Sequence, residues 1–253
     1  MGHKTLVGGT AYDAIGGRTL VGGTGYDIAK GRTLVGGTGY DIIFGIPLGS
    51  LEPGTIVYLR ESGSSVPFYV AKHDYESGLN GAGRTLLVRK NGYDKRAWSS
   101  TTNGEYSTST ISTWMNSTYK ALLDSAVQTA IGSTTFYYTK ASNKTLTTLS
   151  RSIFLLSYAE IGSPSSSVTI TKEGTALPIA STLQKFNYNE QWLRSLTSSG
   201  SAEVFCRHWY SDYSGSEGVD VNSIRPYSNA YSRPCFTLPA STLVAPETYL
   251  ITG

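Results

Sequence analysis

The chain of 253 residues is poor in charge, cysteine and histidine. Only 15% of its residues are Asp, Glu, Lys or Arg, against roughly 25% in an average globular protein. Its two cysteines are too few for a disulfide scaffold, and no apolar run approaches the roughly 18 residues of a membrane span. A net charge of +3 without a Lys/Arg cluster argues against nucleic-acid binding. The first residues, MGHKTLVGGT, lack the apolar stretch of a secretory signal peptide, so we expect none.

Hydroxyl and phenol groups supply most of the polarity instead. The sequence holds 33 Ser, 30 Thr and 18 Tyr, beside 7 Phe and 4 Trp. A hydrophobic content of 39% is enough for a folded core. The length suits one domain of about 200 residues with an appendage.

A 14-residue repeat occupies the amino-terminal region. Residues 4–13 recur as 18–27 and 32–41, and every copy keeps a basic residue, TLVGGT and Tyr-Asp. Short β segments on both sides of a glycine turn predict one strand–turn–strand unit per copy. Such small units need stacking neighbours or other subunits, which favours a β-structured stalk that anchors a homotrimer over a flexible Gly-rich linker. The predicted anchor and oligomerisation residues are Leu6, Val7, Tyr12, Leu20, Val21, Tyr26, Leu34, Val35 and Tyr40.

Proline and turn residues after Gly45 predict a boundary, with the stalk at residues 1–47 and a globular domain at 48–253. An i, i+3, i+4 stripe that starts at Ile111 predicts a helix capped by Ser107 or Ser109. A second helix follows over 122–131, with a bend at 116–119. Predicted strands cover 55–59, 66–72, 84–90, 136–139, 153–158, 168–172, 203–209 and 233–239. Together with a loop-rich stretch before the last strand, these elements predict an α+β fold.

Motifs for catalysis are missing from the sequence. It contains no dinucleotide, phosphate-loop, zinc-protease, serine-hydrolase or EF-hand pattern, so we expect neither an enzyme nor a cofactor. His73 and Asp74 are neighbours on a predicted strand, where their side chains would point to opposite faces. Cys206 and His208 are interpreted as a core residue and a surface contact. A disulfide between Cys206 and Cys235 depends on geometry that the sequence leaves open.

The polar segment, residues 207–232, is the candidate binding surface. Its mixture of Tyr, Ser, Gly and Asn with Arg and Trp is typical of antibody paratopes. A Tyr-rich loop packed on its own domain is the alternative. Its acids at 212, 217 and 220 favour solvated side chains over a calcium site, so no metal is expected. The predicted ligand-binding residues are Arg207, His208, Trp209, Tyr210, Asp212, Tyr213, Glu217, Tyr227, Asn229 and Tyr231.

Apolar residues flank this segment and are expected to form a buried scaffold. They are Trp192, Leu193, Phe205, Phe236 and Leu238.

Two flanking motifs, WLRS at 192–195 and RPCFTLP at 233–239, resemble a domain family abundant in phages and prophages of gut bacteria. The stretches LEPGTIVYLRESGSSVPFYVAKHDY, GRTLLVRK and STISTWMNSTY are similar as well, and the TLVGGTGYDI repeats look like those that precede this domain in phage structural proteins. The resemblance implies a virion or tail-fibre component with a C-type-lectin-like domain. In such receptor-binding proteins, retroelements diversify exposed positions to residues like those of the polar segment. The calcium-binding E-P-N and W-N-D motifs of sugar-binding C-type lectins are absent.

The resemblance, together with these patterns, implies a non-enzymatic phage component, located in the virion, that binds a host-surface glycan or protein. It would contact other virion proteins through its repeats, without nucleic acid or membrane insertion. Two alternatives remain: an architectural capsid-decoration or tail-tip protein, and a glycan-cleaving tail enzyme, which would need two carboxylates in one cleft.

Overall fold

The structure is a computed structural model. It describes residues 45–100, 105–162, 173–184, 190–196 and 228–251 with their side chains. It also describes the backbone of the strands in the repeats and of residues 204–211 and 217–224.

Each repeat folds into a β hairpin of its own. The strands are β1 (Lys4–Val7), β2 (Thr10–Asp13), β3 (Arg18–Val21), β4 (Thr24–Asp27), β5 (Lys30–Val35) and β6 (Thr38–Ile43). Leu6 lies opposite Ala11, and Leu20 lies opposite Gly25, so the copies share one register. The strands therefore lie where the repeat pattern predicts them. Stacking of the hairpins, and the anchoring role of their apolar residues, stay predictions.

The domain that follows combines short helices with several sheets. Its strands are β7 (Ile46–Pro47), β8 (Ile56–Glu61), β9 (Ser64–His73), β10 (Arg84–Arg89), β11 (Lys95–Ala97), β12 (Thr134–Thr139), β13 (Leu146–Arg151), β14 (Gln191–Leu196), β15 (Val204–Ser211), β16 (Glu217–Ile224), β17 (Asn229–Tyr231), β18 (Cys235–Pro239) and β19 (Leu243–Val244). Its helices are α1 (Ser77–Asn80), α2 (Thr110–Trp114), α3 (Ser125–Ala130) and α4 (Ala180–Gln184). The α+β class is therefore confirmed. In the described residues, no helix has the length and apolar character that a membrane crossing requires.

A four-stranded antiparallel sheet, in the order β18-β10-β9-β8, forms one side of the core. The predicted hairpin is confirmed as β8 and β9, which turn at Ser62 and Gly63 with left-handed φ angles of 51° and 79°. The predicted last strand, β18, pairs with β10 and sets Phe236 opposite Leu87. Both of these side chains are fully buried.

A five-stranded sheet, in the order β11-β17-β14-β15-β16, carries the candidate surface. Strands β15 and β16 form an antiparallel hairpin of eight residues each, and β16 is the edge strand. The predicted strand at 203–209 is therefore confirmed as β15, whereas the prediction of a loop-rich stretch is wrong for 217–224. Val219 and Val221 of β16 do alternate with polar residues, but the turn-forming Gly, Ser and Asn around them favoured a loop, whereas backbone pairing forms the ladder regardless of side-chain type.

The predicted first helix begins at Ser109, whose hydroxyl accepts the Ser112 N–H at 3.2 Å. After α2 the chain continues through a π-helical turn, Met115–Tyr119, and a 3-10 turn, Lys120–Leu122. The helix therefore breaks at Leu123, and the predicted bend at 116–119 is wrong. Because the wider π turn shifts the helical register, the buried face repeats every four residues. That face is formed by Ile111, Met115, Tyr119 and Leu123.

The predicted strand at 153–158 is also wrong. The strand that pairs with β12 is β13, and residues 153–157 run as a buried extended segment with one isolated bridge, Phe154 to Cys235. An apolar run of this length does not distinguish a strand from another buried segment. The predicted strand at 168–172 lies outside the described residues.

Candidate ligand-binding site

Seven of the ten predicted ligand-binding residues fall on three strands. Arg207, His208, Trp209 and Tyr210 are on β15, and Glu217 begins β16 opposite Ser211. The structure describes these five positions by their backbone. Asp212, Tyr213 and Tyr227 lie outside the described residues.

The remaining two predicted residues are on β17, and the structure describes them fully. Asn229 is exposed and Tyr231 is half-buried. Strand β17 pairs with β11, which sets Lys95 opposite Tyr231 and Ala97 opposite Asn229. Since residues two apart share one face of a strand, these four positions line one face of the sheet edge. We call Lys95, Asn229 and Tyr231 the β11–β17 patch.

One cross-strand row connects this patch with the β15–β16 hairpin. Lys95 is opposite Tyr231, Tyr231 is opposite Gln191, and Gln191 is opposite Arg207. Val221 of the edge strand completes the row. Arg207 and Tyr231, which are 24 positions apart in the polar segment, are thus brought into one sheet.

Lys95 is a residue of this surface that the sequence analysis missed. Its ammonium nitrogen lies 5.3 Å from the centroid of the Tyr231 ring, within the range of a cation–π contact. Gly92 fits against the same tyrosine, because a methyl group at Gly92 would lie 2.8 Å from Tyr231 Cβ. The charged run Asp94-Lys95-Arg96 was a signal for this site, but only the sheet shows that it adjoins residue 231.

The tryptophan of the WLRS motif holds β11 in place. The Trp192 indole N–H donates to the Arg96 carbonyl at 2.7 Å, and the Trp98 indole donates to the Leu193 carbonyl at 3.1 Å. Both indole side chains are fully buried. The expected burial is confirmed for Trp192, Leu193, Phe236 and Leu238, whereas the Phe205 side chain lies outside the described residues.

The arginine of the same motif is the centre of a buried ionic network. Arg194 donates to both Glu160 carboxylate oxygens, and the Tyr75 hydroxyl donates to the same carboxylate. Burial alone would lower the pKa of Arg194, but the Glu160 carboxylate raises it well above its ordinary value. Burial, followed by the charge of Glu160, raises the pKa of Tyr75. Arg194 therefore stays protonated, and its bonds to Glu160 hold the scaffold together.

Glu173 extends this network toward β12 and β14. Its carboxylate accepts the Thr139 N–H at 2.7 Å and the Ser195 hydroxyl at 2.6 Å. Burial raises the pKa of Glu173, although the Arg194 charge and these hydrogen bonds oppose part of that effect. The last residue of WLRS is thus a structural hydrogen-bond donor.

The second flanking motif is structural as well. Arg233 donates to the Arg89 carbonyl at 2.7 Å and lies fully buried. Cys235 is a free thiol that donates to the Phe154 carbonyl at 2.9 Å. The Cys235 thiol is therefore unbonded in this structure, and the side chain of Cys206 lies outside the described residues.

Two carboxylates approach each other beside Gly174. A methyl group at Gly174 would lie 3.1 Å from Glu76 Oε1 and 3.3 Å from Glu160 Oε1. Glu160 is fully buried and fully occupied by its bonds to Arg194, Tyr75 and the Ser157 N–H. Of these two carboxylates in the described part of the chain, only that of Glu76 remains accessible for proton transfer.

Among the histidine candidates, His73 is a structural residue. His73 contacts the Thr85 hydroxyl through Nδ1 at 2.9 Å and the Leu51 carbonyl through Nε2 at 2.8 Å. Both ring nitrogens are thus engaged inside the domain. No group of three or more His, Cys, Asp or Glu residues that could hold a metal ion occurs among the residues whose placement is described.

A family model described as a domain of unknown function, DUF6273, matches residues 82–240, which is more than half of the chain. The chain belongs to this family. The DUF6273 match runs from the start of the β10 region to just beyond β18, so it includes WLRS, RPCFTLP and the polar segment between them. Strands β8 and β9 precede the match, yet they complete the sheet of β10 and β18. Neither a curated protein nor a solved structure matches the chain.

Proposed function

We propose that this DUF6273 protein is a non-enzymatic phage virion or tail-fibre component that displays a ligand-binding surface to the host. The surface consists of the β15–β16 hairpin and the β11–β17 patch, and its ligand is a host-surface glycan or protein. The repeats of residues 1–47 would attach the domain to other virion proteins and support a homotrimer.

One observation carries this proposal: the motif side chains on both sides of the polar segment are buried and hydrogen-bonded within the domain. Trp192, Arg194, Arg233 and Cys235 are fully buried, and each makes a hydrogen bond within the scaffold. The segment between the motifs continues outward from β14 to the edge of the sheet. A fixed frame with a polar, Tyr-rich edge is the arrangement that a ligand-display domain needs.

For the fold of residues 48–253 we propose the C-type-lectin-like class. Its support is the mixture of antiparallel sheets with two main helical regions, and a long insertion between β14 and β18. Strand β7, which directly precedes residue 48, pairs with β19, so the entry to the domain and its carboxyl-terminal part meet in one small sheet.

The hairpins of the repeats are the support for the proposed attachment and multivalency. Each hairpin of β1–β6 is a two-stranded sheet with its own register, and small isolated hairpins gain stability mainly by packing on neighbours. Copies held together on one particle would raise avidity without a tight single site.

Adsorption to host cells tests the proposed function. In Tyr210→Ala with Tyr213→Ala, we expect loss of adsorption with unchanged particle assembly, because two aromatic contact residues are removed. Tyr249→Ala is the matched control, since Tyr249 is exposed (37%) on a different part of the domain. Normal adsorption by the double variant would contradict the binding role and favour an architectural one.

The attachment role is tested separately. A chain without residues 4–45 should fold but should not be incorporated into particles. Incorporation of this truncated chain at the normal level would contradict the anchoring role.

A further inference from the structure

Contrary to the expectation of no Lys/Arg cluster, residues 89–96 concentrate positive charge next to the candidate site. This stretch carries four cations, Arg89, Lys90, Lys95 and Arg96, but a single carboxylate, Asp94. In a chain with few charged residues, such a local excess of cations is expected to have carboxylate or aromatic partners.

The two arginines are neutralised within the domain. Arg89 donates to the Glu61 carboxylate at 3.0 Å and 3.2 Å. Arg96 donates to Asp94 at 2.9 Å and 2.6 Å, and its guanidinium stacks 3.3 Å from the centroid of the Trp114 ring. These arginines therefore have structural partners.

The two lysines have aromatic neighbours instead of carboxylates. In the described residues, neither Lys90 nor Lys95 forms an ion pair; Lys90 lies over the Tyr69 ring at 5.9 Å, and Lys95 lies over the Tyr231 ring at 5.3 Å. Lys95 is exposed. Its charge is thus positioned by a ring but not compensated by an anion.

The cross-strand row of the five-stranded sheet adds a second cationic position. Arg207 occupies the same row as Lys95, three strand spacings away, which corresponds to about 14 Å at the usual spacing of neighbouring strands. Between them lie the half-buried Tyr231 and the buried Gln191, whose side-chain oxygen accepts from Arg233, so the two cationic positions flank a buried strand. The row contains no carboxylate. The acids of the polar segment fall in other rows, with Asp220 opposite His208 and Glu217 opposite Ser211.

We propose that the ligand of this surface is an anionic polysaccharide, and that Lys95 contacts one of its carboxylate, phosphate or sulfate groups. This inference rests on the proposed function and specifies its ligand. A tyrosine ring buries the apolar face of a sugar while its hydroxyl remains hydrated, and a lysine ammonium is a compact point charge for an anionic group. Charged groups repeated along a polymer suit a row with cationic positions at its two sides.

Binding of matched polymers to the full-length protein tests this inference. The probes are dextran, carboxymethyl-dextran, dextran sulfate and phosphorylated dextran, which share one backbone and differ in charge. We expect binding of at least one charged polymer and none of neutral dextran. The polymer that binds identifies the anionic group.

Two lysine variants assign the contact. We expect Lys95→Ala to weaken binding about two- to fivefold, the effect of one exposed ion pair, and Lys95→Arg to retain it. The control, Lys140→Ala, removes an exposed cation at the turn between β12 and β13 and should have no effect. Equal losses in Lys95→Ala and Lys140→Ala would overturn the inference, because binding would then follow net charge.

Host-cell adsorption separates this inference from the proposed function. Adsorption to host cells without binding of any charged dextran, or with equal binding of neutral dextran, would overturn the anionic ligand and leave the display function in place. Retention of adsorption after protease treatment of the cells is expected, and its loss would indicate a protein ligand. Failure of the intact protein to adsorb would contradict the display function itself.

Discussion

The guanidinium of Arg194 and the carboxylate of Glu160 form two hydrogen bonds, at 2.7 Å and 2.9 Å, with neither side chain reaching solvent. Carbonyl groups of Tyr137 and Leu155 accept further bonds from the same guanidinium. The pair thus connects β14 with β12 and with the extended segment at 153–157. It explains why a motif arginine beside a candidate binding surface is a part of the core.

Breaking this pair is expected to be costly. Arg194→Met leaves the Glu160 charge buried without its partner, so the free energy of unfolding should fall by about 3–5 kcal/mol. Asp94→Asn is the matched control at the partly exposed Arg96–Asp94 pair and should cost about 0–1 kcal/mol. Urea unfolding followed by tryptophan fluorescence measures both. Similar small losses in the two variants would refute an organising role of Arg194.

Glu173 should make stability fall as pH rises. Burial raises its folded-state pKa, so above the usual glutamate range the folded state binds this proton more tightly than the unfolded state. The free energy of unfolding therefore decreases as pH increases from the unfolded pKa through the raised folded pKa. Glu173→Gln should flatten this decrease in urea titrations at about pH 4 to 8.

Glu76 provides the comparison for this prediction. Burial, and then the charge of Glu160, raises its pKa as well, but Glu76 is only half-buried. Glu76→Gln should therefore flatten the pH dependence less than Glu173→Gln. An unchanged slope in Glu173→Gln would show that its carboxyl titrates alike in both states.

Cys235 should resist alkylation until the domain unfolds. Burial raises the pKa of its thiol well above the ordinary value, and the thiolate is the reactive form. In Cys206→Ser, iodoacetamide should label residue 235 only in denaturant, as read by intact mass. The wild-type mass without reductant should correspond to two free thiols. A mass two hydrogens lower would instead indicate a disulfide.

Gly92→Ala should weaken ligand binding while the domain remains folded. The added methyl group would lie 2.8 Å from Tyr231 Cβ and 2.9 Å from its Cγ, so the ring must move. Gly78→Ala is the control, because no atom lies within 4 Å of its added methyl group. Host-cell adsorption and circular dichroism of both variants measure the two properties. Equal adsorption would remove Tyr231 from the binding surface.

Sequence patterns predicted elements well where local periodicity and burial agree. The hairpin of β8 and β9 alternates and ends in a turn with left-handed residues, so its strands were found. The helical pattern predicted the wrong buried residue at 115–119. A π turn there places Tyr119, instead of Thr118, on the buried face. Its hydroxyl donates to Glu61 at 2.9 Å, a tertiary contact that no helical periodicity contains.

Two of the three residues of the β11–β17 patch were predicted from the sequence, and the third was not. Asn229 and Tyr231 were identified by composition, since a Tyr- and Asn-rich segment is typical of binding surfaces. Lys95 was missed because it lies more than a hundred positions earlier, and only the pairing of β11 with β17 brings it to Tyr231. The roles of Arg194 and Arg233 were likewise hidden, because burial of an arginine depends on partners from distant segments.

The sequence by itself determined the three repeats, the α+β class and the segment between WLRS and RPCFTLP, because local backbone preferences and composition encode these features. Only the tertiary structure decided which charged residues are structural and which remain available. Arg89 and Arg194 pair with carboxylates from distant segments, whereas Lys95 contacts a tyrosine ring. The physical reason is that these ion pairs form between side chains that strand pairing and packing bring together. The residues next to them in the chain determine neither the pairing nor the packing.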